Sequence, residues 1–342
     1  MRHTAHGYWL EEAGERRPLP SAQGNLSCDV IVVGGGYTGM WTAWQVSRLE
    51  PGASVILLEA DQCGHGPSGR NGGFANAMWF SMHTMRDRLG DTAAVRVARA
   101  AQDAVDEIGR FCSEQGIEAW YRRSGYLQVS AAPAQDGAWE EALAACRELG
   151  ETGVVEPLSA EQVSRRCRSP RFRAGVLYGG AATVQPARLA LGLRERLSDR
   201  PGVRVFERSP LRRLRAGGWG CLAETPTARI RARSCVLALG SACAAAGSPL
   251  RGRLTVTSSH IVLTEPVPEL LEEIGWTGGE CITDSRAMVH YMRTTPDGRI
   301  AFGWGGGLIA CGARLGGRAE LDPGIVDRVA SDLRSFFPGL EG

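Results

Sequence analysis

The chain has 342 residues, 43% of them hydrophobic, and its 39 basic residues nearly balance its 37 acidic residues. A chain of this length can bury a large core and is expected to form two domains. No block of like charge indicates a basic arm for nucleic acid or a polybasic membrane patch. No stretch approaches the roughly 18 apolar residues of a transmembrane helix.

The cysteines and histidines indicate neither a disulfide framework nor a metal site. The ten cysteines are scattered without a Cys-x-x-Cys pair, which predicts reduced thiols in a cytoplasmic protein. The six histidines include no His-x-x-x-His pair, so no metal is expected. Residues 1–10 carry no apolar run, and no secretory signal is predicted.

Residues 29–59 carry the strongest pattern. An apolar run at Val30–Val33 predicts a buried strand, and a helical pattern follows over residues 38–49. A second apolar run, Val55–Leu58, ends at Glu59. The order strand, glycine turn, helix, strand and acid is typical of a dinucleotide site. A glycine turn in some other α/β protein is the alternative.

Each glycine of this turn has a physical role. Gly34 allows a tight turn out of the strand, Gly36 lets a pyrophosphate approach the backbone, and Gly39 lets the helix pack on the strand. The helix N-terminus offers N–H groups and a partial positive charge to phosphates. Glu59 lies where an acid accepts hydrogen bonds from ribose hydroxyls.

A second glycine-rich segment occupies residues 64–73 and carries Ser68, Arg70 and Asn71. A nicotinamide-binding unit would continue directly into its next helix here. A loop with backbone N–H groups and a guanidinium can instead wrap a large planar cofactor. A solvent loop of the same composition is the alternative.

Taken together, the segments 29–39, 58–60 and 68–73 resemble the D-amino-acid-oxidase-type FAD-dependent oxidoreductases, most closely the branch of the gamma-glutamylputrescine oxidoreductases. The resemblance covers most of the chain and implies FAD as cofactor. It also implies a set of cofactor-binding residues: Gly34, Gly36, Tyr37, Thr38, Gly39, Glu59, Ala60, Ser68, Gly69, Arg70, Asn71, Gly72, Gly73, Leu211, Ala238 and Gly240. Leu239 replaces the small residue usual in the family's turn.

The remaining elements follow in chain order. A helix capped by Asp91 is predicted to run to about residue 114. Its predicted apolar face consists of Val97, Ala101, Val105, Ile108 and Cys112. A Pro186-led helix, strands near residues 203–206 and 230–239, and a β-rich region from residue 254 follow. In this last region the resemblance makes Tyr291, Arg293 and His260 candidates to contact substrate. A surface arginine beside a packed tyrosine is the alternative for Arg293 and Tyr291, and a structural role is the alternative for His260.

The predicted fold is α/β, with a discontinuous Rossmann-like FAD-binding domain in residues 1–78 and 155–248. An α+β substrate or cap domain is predicted in residues 79–154 and 249–342. The resemblance implies oxidation of a C–N bond in an amine or amino-acid-like substrate. A hydride passes to flavin N5, the imine is then hydrolysed, and oxygen or another acceptor takes the electrons. No side chain is assigned as catalytic.

Three alternatives accompany this interpretation. Members of the resembled family continue past the last predicted helix, so a C-terminal part is expected to be missing, and a truncated, inactive member is the first alternative. An NAD(P)-dependent dehydrogenase with the same glycine pattern is the second. A non-enzymatic binding partner that has lost the redox role is the third.

Overall fold

A computed structural model of the chain describes residues 7–218, 220–244, 252–310 and 316–340. The predicted domain boundary at residue 248 lies outside these residues. Its α-helices are α1 (Tyr8–Ala13), α2 (Tyr37–Leu49), α3 (Met82–Leu89), α4 (Asp91–Gln115), α5 (Glu140–Glu148), α6 (Ala160–Arg166), α7 (Pro186–Ser198), α8 (Pro268–Glu273) and α9 (Pro323–Phe336). None of these described helices combines the length and the apolar character needed to cross a bilayer.

The strands vary in length from two to ten residues. They are β1 (Gly24–Val33), β2 (Val55–Leu58), β3 (Phe74–Ala75), β4 (Tyr126–Val129), β5 (Val155–Leu158), β6 (Gly175–Tyr178), β7 (Ala182–Thr183), β8 (Val203–Phe206), β9 (Arg213–Gly217), β10 (Gly220–Glu224), β11 (Ala228–Leu237), β12 (His260–Leu263), β13 (Cys281–Asp284), β14 (His290–Thr294) and β15 (Ile300–Trp304).

The chain divides into two compact units, each made of three segments. The first unit contains residues 1–71, 115–119 and 185–255. Its six-stranded sheet has the order β8-β2-β1-β11-β10-β9. The first four strands are parallel, and the last two are antiparallel. All four residues of β2 are buried, as expected for a central strand of a parallel sheet.

The second unit contains residues 72–114, 120–184 and 256–342. Its seven-stranded sheet has the order β12-β15-β14-β13-β4-β6-β5, and a short pair joins β3 to β7. Only β13 and β4 run parallel among the described strand pairs of the large sheet. Helix α9 places Phe336 in the core beside Phe302 of β15.

The segment before β1 contains a short helix. Helix α1 buries Trp9 and Leu10, and β1 already starts at Gly24. The prediction that Asp91 is the N-cap of the long helix is wrong, since Asp91 is its first helical residue. Helical period located this helix and most of its apolar face correctly, because Val105 and Cys112 are buried as predicted. Val97 is the exception, with 43% exposure, and Ala94 and Ala98 are buried as well.

Candidate functional site

The glycine turn between β1 and α2 brings the helix against the strand. Gly34 has a φ of +113°, and a Cβ added there would lie 2.2 Å from the carbonyl oxygen of Ala238. A Cβ on Gly39 would lie 1.8 Å from the carbonyl oxygen of Gly34. Both positions therefore exclude any side chain. Ala238 is fixed beside the turn, because its N–H donates to Val33 O at 2.8 Å.

The N-terminus of α2 presents N–H groups beyond this turn. The Tyr37 N–H donates to Ser68 Oγ at 2.9 Å. Among the described residues, the N–H groups of Thr38 and Gly39 donate to no protein acceptor. Gly39 is buried, and a buried N–H without an acceptor is costly. An anion such as a phosphate oxygen would satisfy these donors, and the helix dipole favours it.

Glu59 follows β2 and reaches across to the glycine turn. Its Oε2 accepts a hydrogen bond from Gly35 N at 2.6 Å, and its Oε1 accepts one from Asp61 N at 2.9 Å. An ionised carboxylate offers about four acceptor positions. The two acceptor positions that remain free of these bonds can accept hydrogen bonds from a pair of neighbouring ribose hydroxyls. Ala60, the next residue, is exposed.

The second glycine-rich loop closes on itself. It contains a short 3₁₀ turn, Pro67–Gly69. The Asn71 side-chain amide donates to Ser68 O at 2.8 Å, and a Cβ on Gly69 would lie 2.2 Å from Gly64 O. Ser68 is thus directed at the helix N-terminus, while the half-buried Arg70 lies next to it in the chain. Asn71 stabilises the loop by its own hydrogen bonds.

Leu211 and Gly240 lie elsewhere in the same unit. Leu211 is half-buried and packs against the core of the six-stranded sheet. Gly240 has a φ of +53° and begins a 3₁₀ turn, Gly240–Ala244, after β11. Leu239 also packs on that core. No described hydrogen bond of a side chain joins these residues to the glycine turn.

The first unit also contains a buried ion pair, which was not predicted from the sequence. Glu207 directly follows β8, and its carboxylate pairs with Arg194 of α7. The two side chains are 0% and 5% exposed. Burial would raise the pKa of Glu207, but hydrogen bonds from Arg194 and two backbone N–H groups outweigh it and lower that pKa. One sequence signal could have pointed to Glu207. It directly follows a predicted strand, in the same way that Glu59 directly follows β2.

In the second unit, Tyr291 packs against glycine backbone. A Cβ on Gly303 would lie 2.2 Å from its ring, and a Cβ on Gly72 would lie 3.1 Å from it. The Tyr291 hydroxyl shares a 2.7 Å hydrogen bond with Ser259. Burial raises the pKa of Tyr291 to about 12, so the hydroxyl keeps its proton at neutral pH.

Arg293 lies two residues further along β14 and is 2% exposed. Its Nη1 donates to the carbonyl oxygens of Val184 at 2.5 Å and Gly73 at 3.3 Å. Burial lowers its pKa to about 10, which leaves the guanidinium charged at neutral pH. Both Tyr291 and Arg293 therefore contact the Gly72–Gly73 end of the glycine-rich loop.

His260 is 5% exposed and contacts the start of α9. Its Nε2 accepts a hydrogen bond from Asp322 N at 3.2 Å. Burial lowers the pKa of His260, which favours the neutral ring that can accept this bond. The described cysteines are free thiols, and Cys311 lies outside the described residues. No described group of three or more His, Cys, Asp and Glu residues is arranged to bind a metal ion.

The groups of the first unit fit a dinucleotide. The donors at the start of α2 match a pyrophosphate, the glycine turn leaves its backbone open, and Glu59 matches a ribose diol. The family comparison agrees, because the DAO profile, described as FAD dependent oxidoreductase, matches residues 29–342. The chain belongs to the DAO family of FAD dependent oxidoreductases. FAD is therefore its cofactor.

Curated relatives and solved structures are similar along most of this DAO-family chain. Gamma-glutamylputrescine oxidoreductase of Escherichia coli (strain K12) is 27% identical, and the alignment covers 99% of this chain and 76% of that protein. L-proline dehydrogenase from P. horikoshii is 16% identical with a TM-score of 0.67, covering 94% of this chain and 79% of that one. Glycine oxidase from Geobacillus kaustophilus is 15% identical with a TM-score of 0.65, and the match covers 92% of this chain and 79% of that one. The predicted α/β class is confirmed by these two folds.

Proposed function

We propose that the first unit binds FAD with its pyrophosphate at the start of α2 and its adenosine ribose on Glu59. The Gly39 N–H carries this assignment, since it belongs to a buried residue, has no acceptor in the described part of the chain, and would be satisfied by a bound phosphate. Ser68 orients the Tyr37 N–H at the same helix end. The domains would then follow the two compact units, so that residues 155–184 belong to the substrate domain.

We further propose that the substrate is an amine or amino-acid-like molecule oxidised at the carbon next to nitrogen. Relatives and structural neighbours named for gamma-glutamylputrescine, proline and glycine support this chemical class. FAD, when bound, would accept the hydride, and oxygen or another acceptor would take the electrons. The imine product then adds water and its C–N bond breaks, giving a carbonyl compound and ammonia or an amine.

Tyr291 and Arg293 are proposed to position the Gly72–Gly73 segment. Their packing and hydrogen bonds to that backbone support this role. His260 is proposed to stabilise the N-terminus of α9 through its bond from Asp322 N. A cytoplasmic location is also proposed, supported by the free thiols of the described cysteines.

The test is the visible spectrum of the purified chain with FAD, followed by anaerobic addition of single amines and amino acids. Retention of the flavin band through desalting, and its bleaching by one substrate class, are the expected results. Glu59→Ala should weaken FAD binding about 10- to 100-fold, because each hydrogen bond to a charged group contributes roughly 1.5–3 kcal/mol.

The matched control is Glu50→Ala, which removes an exposed acid at the far end of α2. Its FAD affinity should equal that of the unchanged chain. Equal FAD affinity of Glu59→Ala and Glu50→Ala would refute the ribose role of Glu59. A flavin band that no amine or amino acid bleaches would refute the substrate class.

A further inference from the structure

The Arg194–Glu207 ion pair is bidentate and buried. Arg194 Nε lies 2.7 Å from Glu207 Oε1, and Nη2 lies 2.9 Å from Oε2. Removing two charges from water is costly, and a buried pair is often no more stabilising than apolar residues of similar volume. Stability alone is therefore a weak explanation for this pair, and its other contacts point to a second role.

Those contacts fix two separate segments of the chain. Glu207 Oε1 accepts a hydrogen bond from Cys63 N at 2.9 Å, and Oε2 accepts one from Leu19 N at 2.7 Å. Arg194 Nη2 also donates to Arg17 O at 2.7 Å. The pair thereby joins α7 and the end of β8 to the lead-in before β1 and to the turn after β2.

The turn after β2 determines where the glycine turn lies. Gly64 N donates to Gly35 O at 2.9 Å, while Gly35 N donates to Glu59 Oε2 at 2.6 Å. A Cβ on Gly35 would lie 2.5 Å from Cys63 Sγ. The peptide groups of Gly35 are thus bonded on both sides by residues 59–64, and Glu207 accepts a hydrogen bond from Cys63 near the end of that segment.

The Cys63 thiol itself takes no chemical part. Burial raises its pKa well above the ordinary value, and the nearby carboxylates of Glu207 and Glu59 add to the effect. A thiolate, which would be the reactive form, is therefore disfavoured. What matters at this position is the Cys63 N–H and the close packing of sulfur against Gly35.

We infer that Glu207 and Arg194 are positioning residues for the adenosine end of the cofactor. This inference rests on the proposed binding of the ribose by Glu59. The pair fixes the turn after β2, which carries Glu59 and is hydrogen-bonded to Gly35, before the ligand arrives, so less ordering is needed on binding. It acts through Glu59 and the glycine turn, without touching the ligand.

The experiment titrates the cofactor-free chain with FAD and, separately, with ADP, which carries only the adenosine and pyrophosphate part. Glu207→Gln should weaken binding of both ligands about tenfold, a factor that corresponds to roughly 1.4 kcal/mol. Because the pair acts through Glu59, Glu207→Gln should add little to the loss caused by Glu59→Ala in the double variant. An effect of Glu207 on binding that is independent of Glu59 would instead multiply the two losses.

The control is Glu280→Gln, which removes another buried carboxylate, paired with Arg166 at 2.9 Å in the second unit. It should lower the unfolding midpoint and leave ADP affinity unchanged. If Glu207→Gln does not fold, Arg194→Lys replaces it, since it keeps the charge and loses the bidentate geometry. Unchanged FAD and ADP affinity in the folded variant, or fully multiplicative losses, would overturn the inference. Unchanged affinity of Glu59→Ala would overturn the proposed ribose site instead.

Discussion

Gly39→Ala is the sharpest test of the glycine turn. The added methyl carbon would lie 1.8 Å from Gly34 O, 3.0 Å from Gly34 C and 3.3 Å from Val32 Cγ1, whereas ordinary contact begins at 3.4 Å. The atom met first is backbone, so α2 must move away from β1 by roughly 1.5 Å, and overpacking of this kind costs about 1–3 kcal/mol. The same movement withdraws the Thr38 and Gly39 N–H groups from the phosphate position.

Two assays measure these effects together. Calorimetry should show an unfolding midpoint lower by roughly 2–4 °C for each kcal/mol lost, and titration should show FAD affinity reduced at least tenfold. Gly66→Ala is the control, because its φ is −75° and nothing lies within 4 Å of an added Cβ. That variant should be neutral or slightly more stable. A Gly39→Ala protein with the midpoint and FAD affinity of Gly66→Ala would show that the close approach of α2 to β1 is wrong.

Two further predictions concern buried charges. Arg293→Met should lower the free energy of unfolding by about 1–3 kcal/mol, because the Val184 carbonyl loses the Arg293 donor whereas the Gly73 carbonyl keeps its bond from Val184 N. Urea denaturation should show partial rescue in Arg293→Lys. A raised KM at unchanged stability would instead indicate substrate contact. The pKa of Glu207 is lowered from 4.5 by folding, so its stabilisation is complete above about pH 4.5 and disappears as the pH falls through the folded value. Glu207→Gln should therefore flatten acid unfolding curves in that range, and an unchanged acid profile would contradict this.

The cofactor turn could be predicted because its signals are local. Strand, turn and helix between Val30 and Leu49 depend on apolar runs and glycines that are neighbours in the chain. The positive φ of Gly34 and the close packing of Gly39 follow from the same few residues. The capping box of α6 is also a local signal, and Ser159 and Gln162 form both of its hydrogen bonds.

The features that could not be predicted depend on contacts between segments that are distant in the sequence. Gly35 must be glycine because of Cys63 and Glu59, which reach it only when β2 pairs with β1. Glu207 bonds Leu19, which lies 188 positions away in the sequence. No periodic pattern of residues predicts a hydrogen bond of this kind. Arg293 looked equally suited to a surface or a substrate site, since burial beneath the Val184 carbonyl is decided by the sheet and not by its neighbours in sequence.

The pairing of β1 with β11 has a consequence for synthesis of the chain. Gly24 of β1 aligns with Ala228 of β11, about two hundred residues later. At a translation rate of roughly 5–20 residues per second, β11 is synthesised on the order of 10–40 s after β1. During that time its apolar Ile31–Val33 end has an open edge, which can pair with other chains. The central sheet is thus completed late, and nascent chains of this protein are expected to depend on chaperones until β11 has emerged from the ribosome.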